Sequence, residues 1–385
     1  MSQATHLYET IDDLCSLLPA FKQELIQDPP SNLKGTVGFD GFVDTFIRMR
    51  QPASMAEFGP KVAEASGIAA SYSVNHEGDK FGGNGPLFIT AFSDLFSNQA
   101  DLSYIGGLGN GEVEPIFAKA LAGKVQRIFT LAPSAHSDCL EFTDGKVMLG
   151  DFDACDEITL QKMIEVMGQD AIDQELNQAK FISAVNWGKL PNVGEIWSYL
   201  ASQSKAIGRT AKEVLFFMDL AEFEHRSEED VRKLIASLGD ITAQFNTIMS
   251  FNLKEAWQMG DRFGGNFRGK KDPASVAELA CLLRNHLDVD RIIIHPNDGA
   301  ACADANSCVF VPGPYCQSPL ISTGAGDNFG AGCVAASLMG LDNAGMLLAG
   351  NSTSGYFVRS GRTPGLRDLV TFVESWAAGS LPERL

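Results

Sequence analysis

The sequence predicts an α/β fold, a doubly wound and mostly parallel sheet with helices on both faces. Three observations predict it. From residue 160 onward, short apolar runs alternate with stretches of helical spacing. Those runs are apolar at successive positions, as strands covered on both faces must be. A glycine-rich stretch at 322–332 then opens into an apolar helix.

Taken in order, residues 5–28 carry Leu7, Ile11, Leu14, Leu17, Leu18, Phe21 and Leu25 at helical spacing, and Pro29-Pro30 stop the helix. Residues 1–30 read as an N-terminal helical extension and 31–385 as the main domain. Residues 35–50 read as a strand, a glycine-containing turn and a second strand, with Asp40 and Asp44 at or beside the turn. Residues 51–80 read as irregular, with a strand inside 67–78. Phe81-Gly82-Gly83-Asn84-Gly85-Pro86 precedes a helix reaching Phe96. Residues 102–111 are a strand ending in glycines before a helix at 116–121. The hairpin pattern at 139–149 turns at Asp144-Gly145. Beyond it, strands at 181–185, 214–219, 247–251 and 291–295 alternate with helices at 160–177, 191–205, 228–238, 253–259 and 274–287. A short strand at 307–311, the helix after the glycine-rich stretch and another at 347–360 complete the order. Ligands of such sheets lie at the carboxyl ends of the strands. Asp219, Asn252, His295 and Asp327 fall at such ends.

Composition narrows the function. The 385 residues carry 30 Lys and Arg against 48 Asp and Glu, a net charge of −18. That argues against nucleic acid or an anionic membrane surface as the main partner. No apolar run approaches the roughly 18 residues needed to span a bilayer. Eight cysteines include no C-x-x-C pair, which fits reduced thiols in a cytoplasmic protein. Met1-Ser2-Gln3 begins no secretory leader pattern. The glycines at 107 and 109 do not complete a dinucleotide fingerprint, because Glu112 stands where the third glycine belongs.

The chemistry centres on Ser322-Thr323-Gly324-Ala325-Gly326-Asp327. Glycines before a helix let backbone N–H groups converge, and the helix N-terminus favours an anion. A carboxylate there makes sense as a base for a hydroxyl that attacks phosphorus. An N-cap with Asp327 as the capping residue would use the same residues. Asn252-Leu253-Lys254-Glu255 also has two readings: oxygen ligands for Mg²⁺, or a capping box. Asp40 and Asp44 are suited to accept hydrogen bonds from hydroxyls, and equally suited to turn chemistry.

The segment 322–327 resembles the C-terminal signature of the ribokinase/PfkB family of carbohydrate kinases, D-T-x-G-A-G-D. Ser322, Gly324, Ala325, Gly326 and Asp327 fit it, while Ile321 stands at a usually polar position and Cys333 at a usually aliphatic one. Gly82, Gly83 and Asn84 resemble the family's N-terminal G-G-x-x-x-N signature with altered spacing. The resemblance covers residues 35–365 in outline. It implies a ribokinase-like sheet with a small β-lid built from about 43–50, 67–78 and 137–150. It implies Asp327 as the base and the amides of Gly324, Ala325 and Gly326 as an anion hole. Asp44, Gly82, Gly83 and Asn84 would bind the sugar, with Asp40 as an extra carboxylate nearby. Asn252, His295, Gly299 and Asn351 would line the nucleotide site, and Glu255 with Asn252 would hold Mg²⁺ through water. ATP and Mg²⁺ are the implied cofactors, with room for a monovalent cation, and a homodimer is open. The function implied is ATP-dependent phosphorylation of a sugar hydroxymethyl group. A nucleoside acceptor, an ADP donor, and a silent sugar- or nucleotide-binding protein are the rivals.

Overall fold

The strands follow the chain as β1 (Ala4–Leu7), β2 (Lys34–Phe39), β3 (Phe42–Gln51), β4 (Ser73–Gly82), β5 (Asp101–Gly106), β6 (Arg127–Thr130) and β7 (Ala135–Glu141). Then come β8 (Lys146–Asp151), β9 (Phe181–Val185), β10 (Leu215–Asp219), β11 (Asn246–Asn252), β12 (Arg291–His295), β13 (Gly299–Ala303) and β14 (Ser307–Pro312). This computed structural model describes residues 4–27 and 32–385. The Met1-Ser2-Gln3 start, the Pro29-Pro30 stop and the expected boundary at residue 30 lie outside the described residues.

Ten strands form one sheet in the order β1-β14-β13-β12-β11-β10-β9-β2-β5-β6. Only β13 runs against its neighbours. Strand side chains alternate between two apolar layers. Phe216, Met218, Ile292 and Ile294 enter one layer, and Phe217 and Ile293 enter the other. Helices Val193–Ala206, Glu228–Gln244 and Pro273–His286 cover the first layer. Helices Asn84–Leu95, Ala325–Leu338 and Asn343–Ser360 cover the second. With both faces covered, the strands have no polar side to show, which explains their continuous apolar runs.

A second sheet has the order β4-β3-β7-β8. Strand β3 leaves the large sheet after the turn at Asp40-Gly41, and the β7–β8 hairpin follows β6. The smaller sheet therefore hangs off the end where β2 and β6 finish, which is the carboxyl end of the parallel strands.

Several expected elements differ. The residues read as one N-terminal helix begin instead with β1, which adds to the sheet edge parallel to β14. The helix itself is Ile11–Ile26, with Thr10 accepting from the Asp13 N–H as its cap. Its buried Leu14, Phe21 and Leu25 pack it beside the helix Leu366–Ala377. Residues read as irregular contain the helix Met55–Glu64, despite Gly59 and Pro60. Ser54 caps it, and Asp144 of the hairpin turn accepts the Met55 N–H at 2.7 Å. The following strand lies at Ser73–Gly82, later than the 67–78 expected.

Candidate active site

Gly324 has φ +88° and forms the N-cap of the helix Ala325–Leu338. That left-handed conformation suits glycine and would strain other residues. Asn328, buried, donates from Nδ2 to the Gly324 carbonyl at 2.9 Å and accepts from Thr363 Oγ1 at 2.7 Å. The turn is thus held from below by a side chain one helical turn on. The helix has no side-chain cap, so Asp327 does not serve as one. Of the expected anion-hole amides, Ala325 N–H already points to the Ser322 carbonyl at 3.2 Å. Gly326 follows in the unsatisfied first turn, where amides face outward.

Asp327 Oδ1 instead accepts from Asn84 Nδ2 at 2.9 Å, across 243 residues of sequence. Asn84 opens its own helix, and the preceding Gly83 has φ +96°. Two helix N-termini therefore meet at one hydrogen bond. Asp40 makes this possible. It is fully buried, and its carboxylate accepts the N–H groups of Asn84 at 2.8 Å and Gly85 at 2.7 Å. Asn186 Nδ2 adds a third bond at 2.6 Å. Asp40 was expected near substrate hydroxyls, but both its oxygens are taken inside the protein. It acts as an N-cap supplied from another strand. Asp44 lies farther out on β3, beside Gly82. A Cβ on Gly82 would meet the Asp44 carboxylate at 2.2 Å, so the glycine makes room for the acid. Burial raises the Asp44 pKa, opposed by Ser137 and by the charges of Lys146 and His136.

The strand ends gather unmatched acid. Burial pushes Asp219 up to about 6, with Ala221 N–H donating to it at 2.9 Å. Burial, and then the charge of Asp219, pushes Glu255 up to about 8. Burial, with the charges of Asp219 and Asp40, raises Asp327 well above the ordinary carboxylate range. The capping box at Asn252 is realised. Glu255 N–H donates to Asn252 Oδ1 at 3.0 Å, and Asn252 N–H donates to Glu255 Oε2 at 3.0 Å. Asn252 Nδ2 also reaches Glu255 Oε1 at 2.5 Å. Among the described residues, no three His, Cys, Asp or Glu side chains form a ready metal cage. Mg²⁺ needs less, one or two carboxylates with phosphate and water. The residues present suit such an ion: carboxylates without cationic partners, and a buried Asn186 Oδ1 that meets no donor.

On the other side of Gly326 lies a cleft of about 450 Å³. Asn252, His295, Asn351, Ser322, Ala325 and Gly326 are among the residues lining it. His295 ends β12 and stacks on Phe329 with ring centroids 4.6 Å apart. Burial lowers its pKa to about 4, so the imidazole is neutral near pH 7. Asn351 Nδ2 donates to the carbonyls of Val311 and Pro312 at 3.0 and 3.1 Å. Gly299, expected at the nucleotide, does not line the cleft. It is packed inside the β13–β14 ladder, where a Cβ would meet the Phe310 ring at 2.4 Å. The neighbouring Gly313 lines the cleft instead.

Four residues came without a recognised signal. Asp219 was legible only as a strand end, yet its charge adds to burial in raising both Glu255 and Asp327. Asn186 follows β9 with φ +62° and gives no motif. Arg359 is buried and donates to the carbonyls of Pro314 at 2.8 Å and Tyr315 at 2.6 Å, bracing the cleft wall. Lys146, in the hairpin, donates to Thr323 Oγ1 at 2.7 Å.

Comparison with known proteins gives the family and the fold. The sequence profile of the prokaryotic ketohexokinase family matches residues 24–376. A ketohexokinase of Haloferax volcanii is 23% identical over 351 residues, covering 88% of this chain and 90% of that protein. An Arabidopsis thaliana ribokinase complexed with ribose and ATP superposes with a TM-score of 0.61 at 16% identity, covering 90% of this chain and 99% of that one. A candidate ribokinase II from E. coli, in complex with ATP and Mg²⁺, gives a TM-score of 0.59 at 16% identity, covering 89% and 99%. The fold is that of the ribokinases. The chain belongs to the prokaryotic ketohexokinase family and is a carbohydrate kinase. Among the described residues no helix is long and apolar enough to cross a membrane.

Proposed function

We propose that this protein transfers the γ-phosphoryl group of ATP to a hydroxymethyl group of a ketohexose-like sugar, with Asp327 as the base. The observation that carries the reading is the Asn84–Asp327 hydrogen bond at 2.9 Å. It sets a half-buried carboxylate between the 82–86 turn and the first turn of the 325–338 helix, with no capping role to explain it.

In this reading the acceptor hydroxyl loses its proton to Asp327 as its oxygen bonds to the γ-phosphorus. The bond from that phosphorus to the β,γ-bridging oxygen breaks, and ADP leaves with the electron pair. Amides of the first helical turn, Gly326 foremost, meet the charge on the moving group. Asp44, Gly83 and Asn84 orient the acceptor, while Asp40 fixes the turn that carries them. Asn252, His295 and Asn351 line the nucleotide. Asp219 and Glu255, with Asn252, would hold Mg²⁺ through its waters. Bound there with ATP, Mg²⁺ would supply charge neutralisation on the phosphates. The reading extends to a homodimer, supported by the exposed Met148 and Leu149 of the smaller sheet.

The test is ADP release from ATP and Mg²⁺ across ketohexoses, aldoses, polyols, sugar acids and nucleosides, in Na⁺ and in K⁺ buffers. Turnover with ketohexoses supports the reading. Turnover confined to nucleosides would replace the acceptor, and ATP or sugar binding without any turnover would favour a silent binder. Sedimentation of the same preparation reads the homodimer.

A further inference from the structure

The hairpin carries a cation to the phosphoryl site. Lys146 begins β8, and its ammonium reaches Thr323 Oγ1, one residue before the Gly324 cap. The two residues are 177 positions apart. The carboxylate opposite Lys146 on β7 is Glu141, and it is already bonded by Arg48 at 2.7 Å. Lys189 and Lys254, the other lysines near the strand ends, are paired with Glu222. Among the described residues the one hydrogen-bond partner of the Lys146 ammonium is the neutral Thr323 hydroxyl, and the acid nearest in charge is Asp44, which forms no ion pair with it.

The tip that carries Lys146 is braced. Thr143 N–H donates to the Ala53 carbonyl at 2.8 Å, and Asp144 accepts from Met55 and Ala56 N–H at 2.7 and 3.3 Å. The Phe142 and Phe58 rings pack 5.1 Å apart. A lysine side chain gives up rotational freedom to reach a hydroxyl, and one neutral bond returns little for it. An anion arriving at the same helix N-terminus returns much more.

We propose that Lys146 is the small sheet's own contribution to phosphoryl transfer, its ammonium passing from Thr323 to the oxygens of the transferring group when ATP is bound. Helix amides meet that group from one side, and Lys146 meets it from the other. The lysine remains an ammonium throughout and exchanges no proton or bond. This rests on the kinase reading above, and a second cation makes chemical sense there: the chain's net charge of −18 works against an anionic donor.

The experiment compares Lys146→Met, Lys146→Gln and Lys146→Arg with the wild type. Readouts are sugar-dependent ADP release, equilibrium binding of a non-hydrolysable ATP analogue, and thermal unfolding. Met removes the charge, Gln keeps a hydrogen-bond donor for Thr323, and Arg keeps both. The expected result is a kcat about 10²-fold lower for Met and Gln alike. Sugar KM and Tm should stay near wild type, and Arg should recover most of the rate. Near wild-type kcat in Lys146→Gln would overturn the proposal and leave a mere tether. So would a rate loss that tracks Tm in all three variants. A wild type that turns over no sugar overturns the kinase reading and this proposal together. An active wild type with an equally active Lys146→Met overturns this proposal alone.

Discussion

Glu175 is buried where β2, β5 and β6 begin, and Asp219, Glu255 and Asp327 cluster where the parallel strands end. At the first site the acid is matched. Lys34 Nζ lies 3.5 Å from Glu175, Arg127 Nε lies 2.9 Å away, and Ser103 Oγ donates at 2.8 Å. At the second site the acids have each other for neighbours, and all three hold their protons more tightly than ordinary carboxyls. Burial acts on both groups, and at the second site no ion pair among the described residues offsets it. A matched buried acid holds structure together, whereas an unmatched one is a standing cost that a site retains for a ligand or a proton. The comparison separates scaffold from chemistry within one sheet.

Breaking the matched end should give the largest change in stability. Glu175→Ala removes the carboxylate shared by Lys34 and Arg127, which keep Gln178 and Asp101 as partners, and a loss of about 1–3 kcal/mol is expected. Denaturant unfolding measures it, and kcat per folded molecule should be unchanged because the residue lies at the far end of the sheet. A large fall in kcat there would blur the division.

At the unmatched end, Asn84→Ala removes the donor to Asp327 and leaves its carboxyl less well aimed. About a tenfold loss of kcat is expected, on the scale of a hydrogen bond to a charged group worth ~1.5 kcal/mol. Steady-state kinetics checks it, and an unaltered rate would show that the contact does not orient the base.

A smaller, pH-dependent effect sharpens the contrast. Glu255 moves from an ordinary 4.5 to about 8 on folding. Between those values the unfolded chain loses the proton while the folded protein keeps it. Stability therefore falls as pH rises through that window. Glu255→Gln should abolish this fall, raising Tm by a few degrees near pH 8 and by nothing near pH 4. Differential scanning calorimetry across pH reads it directly. Equal pH slopes in both proteins would mean that Glu255 is matched after all.

Much of this was written locally in the chain. Strand periodicity from residue 181 to 295 forecast the sheet, because buried parallel strands must be apolar throughout. The Gly-Ala-Gly-Asp sequence forecast a helix N-terminus with a carboxylate that needed a reason. What failed to show was what depends on distant partners. Strand β1 is four residues long and exists only because β14 offers it an edge. The helix at 55–64 contains Gly59 and Pro60, and beyond its own Ser54 cap its first N–H is held by Asp144, 89 residues away. Asp40 and Asp44 look alike in sequence, yet one lies under the 83–85 turn and the other on the smaller sheet. Asn252 and Glu255 had two readings. The capping box is formed, and the same two side chains remain the cation candidates, since one geometry serves both.

The central claim is that Asp327 removes the acceptor proton. The direct measurement is single-turnover phosphoryl transfer in wild type and Asp327→Asn, with nucleotide and sugar affinities measured by calorimetry on the same samples. The account predicts a rate loss of about 10³-fold or more with both affinities within a fewfold. It also predicts that wild-type kcat/KM falls on the acid side well above the ordinary carboxylate range, because Asp327 must be ionised to work. An Asp327→Asn variant that transfers the phosphoryl group at near wild-type rate would contradict the account.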